Sequence, residues 1–296
     1  PQKPYILMGD MQFDYGTVNI IARKLANSLL GLGVKKGDRV AIMAPNVPQY
    51  LFSLHALLKI GAIEVPANPL YTVPELRVQF ADSGTETVIV MAMFASKAIE
   101  LLKDPESPVK RVIVFQIPSA PVEVEKGENI YDFMELIGPA SDAEPDVEVS
   151  ADDICRLQYT GGTTGVPKGC VLTNFMMWTQ CVRTSIWVTS NFKLVPFDEV
   201  RTLCAIPLNH IYGLNANVNI CLYCGGSIVL VAQPTPDNLL AAIEQHRPNL
   251  FAAVPAMIIG LNNHPKIAEA DITSLKGIFC GSSPLAVETM KRFEEL

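Results

Sequence analysis

At 296 residues with 49% hydrophobic content, the chain exceeds one ordinary domain and has enough apolar side chains for a large core, which excludes disorder. A net charge of -7 excludes an electrostatic footprint for nucleic acid, which would need basic clusters, so any anionic ligand must be held locally. No apolar run reaches the roughly 18 to 20 residues of a membrane span; the greasiest stretch, residues 218–232, is broken by Asn219 and by Gly225-Gly226.

The elements follow from periodicity. Val18, Ile21, Leu25, Leu29 and Leu32 recur at spacings of three and four, which predicts an amphipathic helix over residues 17–33 closed by Gly33. Strands are expected at 4–7, 39–44, 62–65, 87–91 and 111–115, with helices at 49–60 and 73–83 between them. That alternation is the mark of a parallel sheet with crossover helices. Residues 116–152 turn acidic and proline-containing with little periodicity, and read as a surface excursion.

A second alternating series opens at Ile154. Strands are expected at 154–157, 170–172, 202–206, 227–231, 250–253 and 277–280. Helices are expected from Asn174, near 214–223, at 236–246, at 255–261 and at 285–296. The reading is an α/β chain of two stacked, parallel-sheet-rich lobes. Residues 1–153 form the first, with its excursion at 116–152, and 154–296 form the second.

Between two strands of that second series lies Tyr159-Thr160-Gly161-Gly162-Thr163-Thr164-Gly165-Val166-Pro167-Lys168-Gly169. Glycines let backbone N–H groups converge on an oxyanion, threonine hydroxyls add donors, and a lysine adds a mobile charge. The ligand such a composition suits is polyphosphate; the plainer alternative, a glycine-rich hairpin, needs neither three hydroxyls nor a lysine. Lys168 is followed by Gly169 rather than Ser or Thr, and a strand follows instead of a helix, so this is not the G-x-x-x-x-G-K-[ST] phosphate loop.

The seven cysteines (155, 170, 181, 204, 221, 224 and 280) are odd in number and spread through apolar segments, which suits reduced thiols in a cytoplasmic protein. Cys221 and Cys224 form a C-x-x-C with no second ligand pair, so packing is favoured over zinc, and no metal is assigned to them. The chain starts at Pro1 with no basic n-region, and its last expected helix reaches Leu296 without a stop signal. The expectation is a fragment that continues past Leu296.

The eleven-residue loop resembles the signature of the adenylate-forming superfamily of acyl-CoA synthetases, luciferases and peptide-synthetase adenylation domains. Gly161, with Gln158 ahead of the tyrosine, looks like the long-chain fatty acyl-CoA ligases of bacteria and archaea. Residues 33–41, 58–62 and 66–69 are similar to further family segments, whose glycines and prolines set turns. Pro207-Leu208-Asn209-His210-Ile211-Tyr212-Gly213 is similar to the segment whose histidine sits beside the acyl-adenylate. Read alone, His210 could equally be a core histidine. Gly281-Ser282-Ser283-Pro284 resembles the lining of the adenine pocket, although a serine there could also cap a helix.

What the resemblance implies is an AMP-forming acid–thiol ligase that converts a long- or medium-chain fatty acid to acyl-AMP and then to acyl-CoA. The alternatives are adenylation of aryl or amino acids, or a non-catalytic scaffold on the same fold. ATP, Mg2+ and CoA are the implied cofactor and co-substrates. Thr160, Lys168 and His210 take the catalytic roles, with Thr160 as the metal-side hydroxyl. Thr160, Gly161, Gly162, Thr163, Thr164, Gly165 and Lys168, with Gly281, Ser282, Ser283 and Pro284, take the nucleotide. Trp178, Trp187, Ile211, Leu214 and Phe251 are tunnel candidates for the acyl chain, or simply core. Peripheral membrane contact and a homodimer are left open. The ribose-binding aspartate, the hinge and the C-terminal lid domain with the adenylation lysine belong beyond Leu296, so the fragment alone is expected to be inactive.

Overall fold

A computed structural model describes every residue except Ser119, 161–166 and Phe192. The strands in chain order are β1 (Pro4–Met8), β2 (Met11–Asp14), β3 (Arg39–Met43), β4 (Ile63–Ala67), β5 (Thr87–Met91), β6 (Arg111–Phe115) and β7 (Ile130–Asp132). They continue with β8 (Ile154–Thr160), β9 (Lys168–Thr173), β10 (Arg201–Cys204), β11 (Ser227–Leu230), β12 (Leu250–Ala253) and β13 (Gly277–Cys280). Two compact units contain them, one made of Thr17–Ala44 and Gln49–Met177, the other of Pro1–Gly16, Pro45–Pro48 and Trp178–Leu296.

The first of these units holds a seven-stranded sheet in the order β7-β6-β5-β3-β4-β8-β9, parallel except for β9 against β8. Strands β3, β4, β5 and β6 are buried on both faces, as crossover helices require, whereas β7 is half-buried and β9 partly exposed. Ala41, Met43, Val65, Ala67, Val88, Val90, Val112 and Val114 alternate along four strands and pack on Leu76 and Phe80 of helix Val73–Ser83 and on Ile99 of helix Ala95–Lys103. Val40, Ile42, Ile89 and Ile113 fill the opposite face. Helix Val73–Ser83 starts where its sequence says it should: Thr72 N donates to Glu75 Oε2 at 2.7 Å, and Pro74 stands in the first turn, where its missing N–H costs nothing.

The other unit holds a six-stranded sheet, β13-β12-β10-β11-β1-β2, parallel except for β2. Leu203, Val229, Phe251 and Ala253 on one face pack with Leu239, Leu240 and Ile243 of helix Pro236–His246 and with Ile258 and Leu261 of helix Pro255–Asn262. Because β10, β12 and β13 run parallel, the segments leaving their C-terminal ends emerge from one edge of the sheet, which is where open α/β sheets bind ligands.

Three expectations need correcting. Residues 116–152 are not only an excursion: β7 pairs with β6 through Val112↔Ile130, and helix Phe133–Ile137 follows, capped by Asp132. The division at 153/154 does not follow the sheets. Strands β8 and β9 join the sheet of β3 to β7, while β1 pairs with β11 in the other. Strand partnership is set by long-range pairing and side-chain burial, which chain order alone does not reveal. The helix expected at 214–223 begins at Ile211 and widens to π geometry over Leu214–Asn219 before Ile220–Cys224. Among the described residues, no helix is long and apolar enough to cross a membrane.

Candidate functional site

In the unit with the seven-stranded sheet, Thr160 ends β8 and Lys168 begins β9, and the two are register partners, with Tyr159 opposite Gly169 and Gln158 opposite Cys170. The ends of the glycine- and threonine-rich segment are therefore held side by side at the C-terminal end of a parallel strand. Thr160 is exposed, as is Lys168. Gly161, Gly162, Thr163, Thr164 and Gly165 lie outside the described residues. Tyr159 donates its hydroxyl to Asp82 on helix Val73–Ser83. Burial, and then that bond to a carboxylate, push the phenol well above its ordinary range. Gly169 faces the Tyr159 ring so closely that a Cβ there would stand 3.1 Å from Cζ.

The other unit brings together two segments that sequence reading named separately. His210 precedes the helical turn Ile211–Gly213, and its Nδ1 accepts from Tyr212 N at 3.1 Å. A ring nitrogen that accepts carries no proton, so Nε2 holds it and stands as a donor on an exposed side chain. Tyr212 reaches across the sheet edge, where its hydroxyl donates to Phe279 O. Burial, then Cys280, push this phenol up to about 12. Gly281 follows β13, and its N–H donates to Ala253 O at 3.0 Å.

Ser282 takes φ of 75°, a left-handed conformation that non-glycine residues seldom adopt. It is exposed with Ser283 and Pro284. Neither serine is the N-cap of the next helix, Val287–Glu294, because that position belongs to Ala286. The capping alternative is thereby removed, and a strained exposed turn remains at the C-terminal end of a parallel strand.

Asn46 is a residue that sequence reading missed. It is 3% exposed; its Nδ2 donates to Cys204 O and Ile206 O at 3.0 Å each, while Oδ1 accepts from Leu208 N at 2.9 Å. The whole amide is spent on shaping the backbone that leads from β10 to His210. Its one signal was a polar residue set between Pro45 and Pro48 directly after an apolar strand.

The five tunnel candidates do not behave alike. Phe251 is fully buried in the core of its unit, and Leu214 is 2% exposed. Ile211 is half-buried. Trp178 and Trp187 are exposed, and Trp178 meets Tyr223 edge-on with ring centroids 5.6 Å apart. Of the cysteines, Cys155, Cys181, Cys204, Cys221 and Cys224 are buried and their thiols are raised by that burial. Among the described residues, no cluster of three or more His, Cys, Asp or Glu side chains could hold a metal ion.

The AMP-binding enzyme family matches residues 1–296, the whole length. The chain belongs to that family. It is 32% identical to a long-chain-fatty-acid–CoA ligase of Bacillus subtilis (strain 168), covering 100% of this chain and 55% of that protein. It is 30% identical to 4-coumarate–CoA ligase 3 of Arabidopsis thaliana, covering 97% and 49%. Among solved structures, the N-terminal domain of FACL13 from Mycobacterium tuberculosis superposes with a TM-score of 0.84 at 26% identity, covering 100% of this chain and 70% of that one. The chain thus has the fold of the family's N-terminal domain and spans about half the length of the curated relatives it matches.

Proposed function

We propose that the protein carrying this chain activates a long- or medium-chain fatty acid in two steps. The carboxylate attacks the α-phosphorus of ATP, giving acyl-adenylate and pyrophosphate; the thiol of CoA then takes the acyl group and AMP leaves. The observation that carries the reading is the pairing of Thr160 with Lys168, which sets a hydroxyl and an ammonium at one point of the sheet edge. Similarity to the Bacillus subtilis ligase supports a fatty acid. The nearly equal similarity to 4-coumarate–CoA ligase 3 supports an aryl acid as the second reading.

In this proposal Lys168 and Thr160, with Gly161, Gly162, Thr163, Thr164 and Gly165, bind the β- and γ-phosphates and orient the pyrophosphate that leaves. A magnesium ion held by phosphate oxygens and water needs few protein ligands, and the Thr160 hydroxyl is a donor of the right kind for one of them. Bound there, Mg2+ would neutralise phosphate charge. His210 holds its proton on Nε2 and offers it as a hydrogen bond towards the carboxylate and adenylate oxygens. Gly281 to Pro284 receive the adenine, where a glycine and a tight turn let the base approach backbone.

ATP–pyrophosphate exchange by the full-length protein against a panel of fatty, aryl and amino acids tests the assignment. Exchange driven by long- or medium-chain fatty acids is the expected result. Exchange with aryl acids alone would move the assignment to the second reading. Exchange with amino acids only, or with no acid, would overturn both.

A further inference from the structure

Along β8 the side chains of Arg156, Gln158 and Thr160 share one face, alternating with Leu157 and Tyr159 on the other. The first two are buried, at 1% and 6% exposure. Arg156 stands opposite Glu64 of β4 in the parallel register, and its Nη1 donates to Glu64 Oε2. Tyr50 donates to the other carboxylate oxygen, Oε1, at 2.7 Å. On its far side Arg156 Nε donates to Gln158 Oε1 at 2.9 Å, and Gln158 Nε2 donates to the carbonyl of Tyr159 at 3.3 Å. That carbonyl belongs to the peptide that joins Tyr159 to Thr160. A directional chain of donors and acceptors therefore runs from a charge pair in the core to the peptide that carries Thr160.

Stability does not demand such a pair. Taking two charges out of water is costly, and apolar residues of similar volume often replace a buried ion pair without loss. What apolar residues cannot supply is a directional bond to a peptide oxygen, which adds to packing in fixing how that peptide plane is turned. We infer that Arg156 is a positioning residue: acting through Gln158, it sets the orientation of the Tyr159–Thr160 peptide and so aims the Thr160 hydroxyl at the nucleotide phosphates. This rests on the proposed function only in taking Thr160 as a phosphate-side donor.

The test uses the full-length protein with two readouts, thermal unfolding and MgATP affinity by calorimetry, neither of which depends on the acid. Arg156→Leu alone strands the Glu64 carboxylate in the core and lowers Tm. The double variant Glu64→Leu/Arg156→Leu recovers Tm yet binds MgATP about tenfold more weakly, as expected when a contact is kept but misaimed. Gln158→Met leaves the ion pair intact and should weaken MgATP by a similar factor with little change in Tm, so the test survives a double variant that fails to fold. Wild-type MgATP affinity in Gln158→Met, or in a folded double variant, would overturn the inference while leaving the proposed function standing. Failure of the unaltered protein to bind MgATP would overturn both.

Discussion

Gly281 lies against the ring of Tyr212: a Cβ built at position 281 would stand 2.9 Å from Tyr212 Cε1 and 3.1 Å from Cζ. The ring is tethered, because the Tyr212 hydroxyl donates to Phe279 O, two residues before Gly281. Through this contact the segment after β10 and the segment after β13 each limit where the other can go.

Gly281→Ala should therefore lower stability by about 1 to 3 kcal/mol, the usual cost of overpacking a tight contact, and raise KM for ATP. Adding Tyr212→Phe removes the tether, lets the ring shift, and should recover part of the lost Tm. Thermal unfolding and pyrophosphate exchange of the single and double variants measure this; a Gly281→Ala protein with unaltered Tm would contradict the contact.

Gly213 is more constrained still, since a Cβ there would meet Pro207 O at 2.3 Å and Ile206 O at 2.7 Å. Both are backbone atoms that Asn46 also holds or flanks, so they cannot retreat cheaply. Gly213→Ala should cost on the order of 3 kcal/mol or more in urea unfolding. Gly31→Ala, in a helix and with nothing within 4 Å of the new Cβ, should be neutral or slightly stabilising.

Removing the Asn46 amide takes from Ile206 O and Leu208 N the bonds it makes to them, while Cys204 O keeps its bond from Val231 N. Asn46→Ala should destabilise by about 3 kcal/mol, since each stranded group costs roughly 1 to 3 kcal/mol. Asn46→Asp keeps the shape and the acceptor for Leu208 N but loses both donors. If Asn46→Asp unfolds at the same urea concentration as the unaltered protein, the two Nδ2 bonds do not hold this loop.

Burial, and then the neighbouring Lys59, lower the His55 pKa from 6.5 to about 4. Because the folded state holds the proton less tightly than the unfolded chain, the contribution to stability is complete above pH 6.5 and is lost as pH falls from 6.5 towards 4. His55→Gln should flatten this part of the curve of stability against pH. Urea midpoints collected between pH 4 and pH 7 decide it, and identical acid-side slopes in the two proteins would refute the assignment.

Lys168 is exposed at the start of β9, so Lys168→Ala should change stability by no more than about 0.5 kcal/mol. On the proposed function it should raise KM for ATP about tenfold or more, with KM for the acid little altered. Lys168→Arg should restore only part of the loss, because a planar guanidinium does not replace a compact ammonium. An unchanged KM for ATP in Lys168→Ala would remove this lysine from the phosphate site.

Local pattern was enough for helices Val73–Ser83 and Pro236–His246 and for strands β5, β6, β12 and β13, whose observed bounds match their periodicity and caps residue for residue. In each of these the information is short-range: a short, mostly apolar run in a strand, or a proline and an acidic residue in a helix's first turn. The composition of residues 159–169 is local information of the same kind, and the proposed function takes it as phosphate chemistry. Strand β7 escaped notice because three half-buried residues carry no period of their own and become a strand only by pairing with β6.

What the sequence determined by itself was the alternation of elements, the family, and the residue types that could meet a nucleotide. Only the tertiary structure decided which distant residues hold them. Glu64 meets Arg156, Asn46 meets the backbone before His210, and Tyr212 meets Gly281. Each pairing joins positions far apart along the chain, and such contacts depend on strand order and on a few tenths of an ångström of packing, neither of which is written in local periodicity.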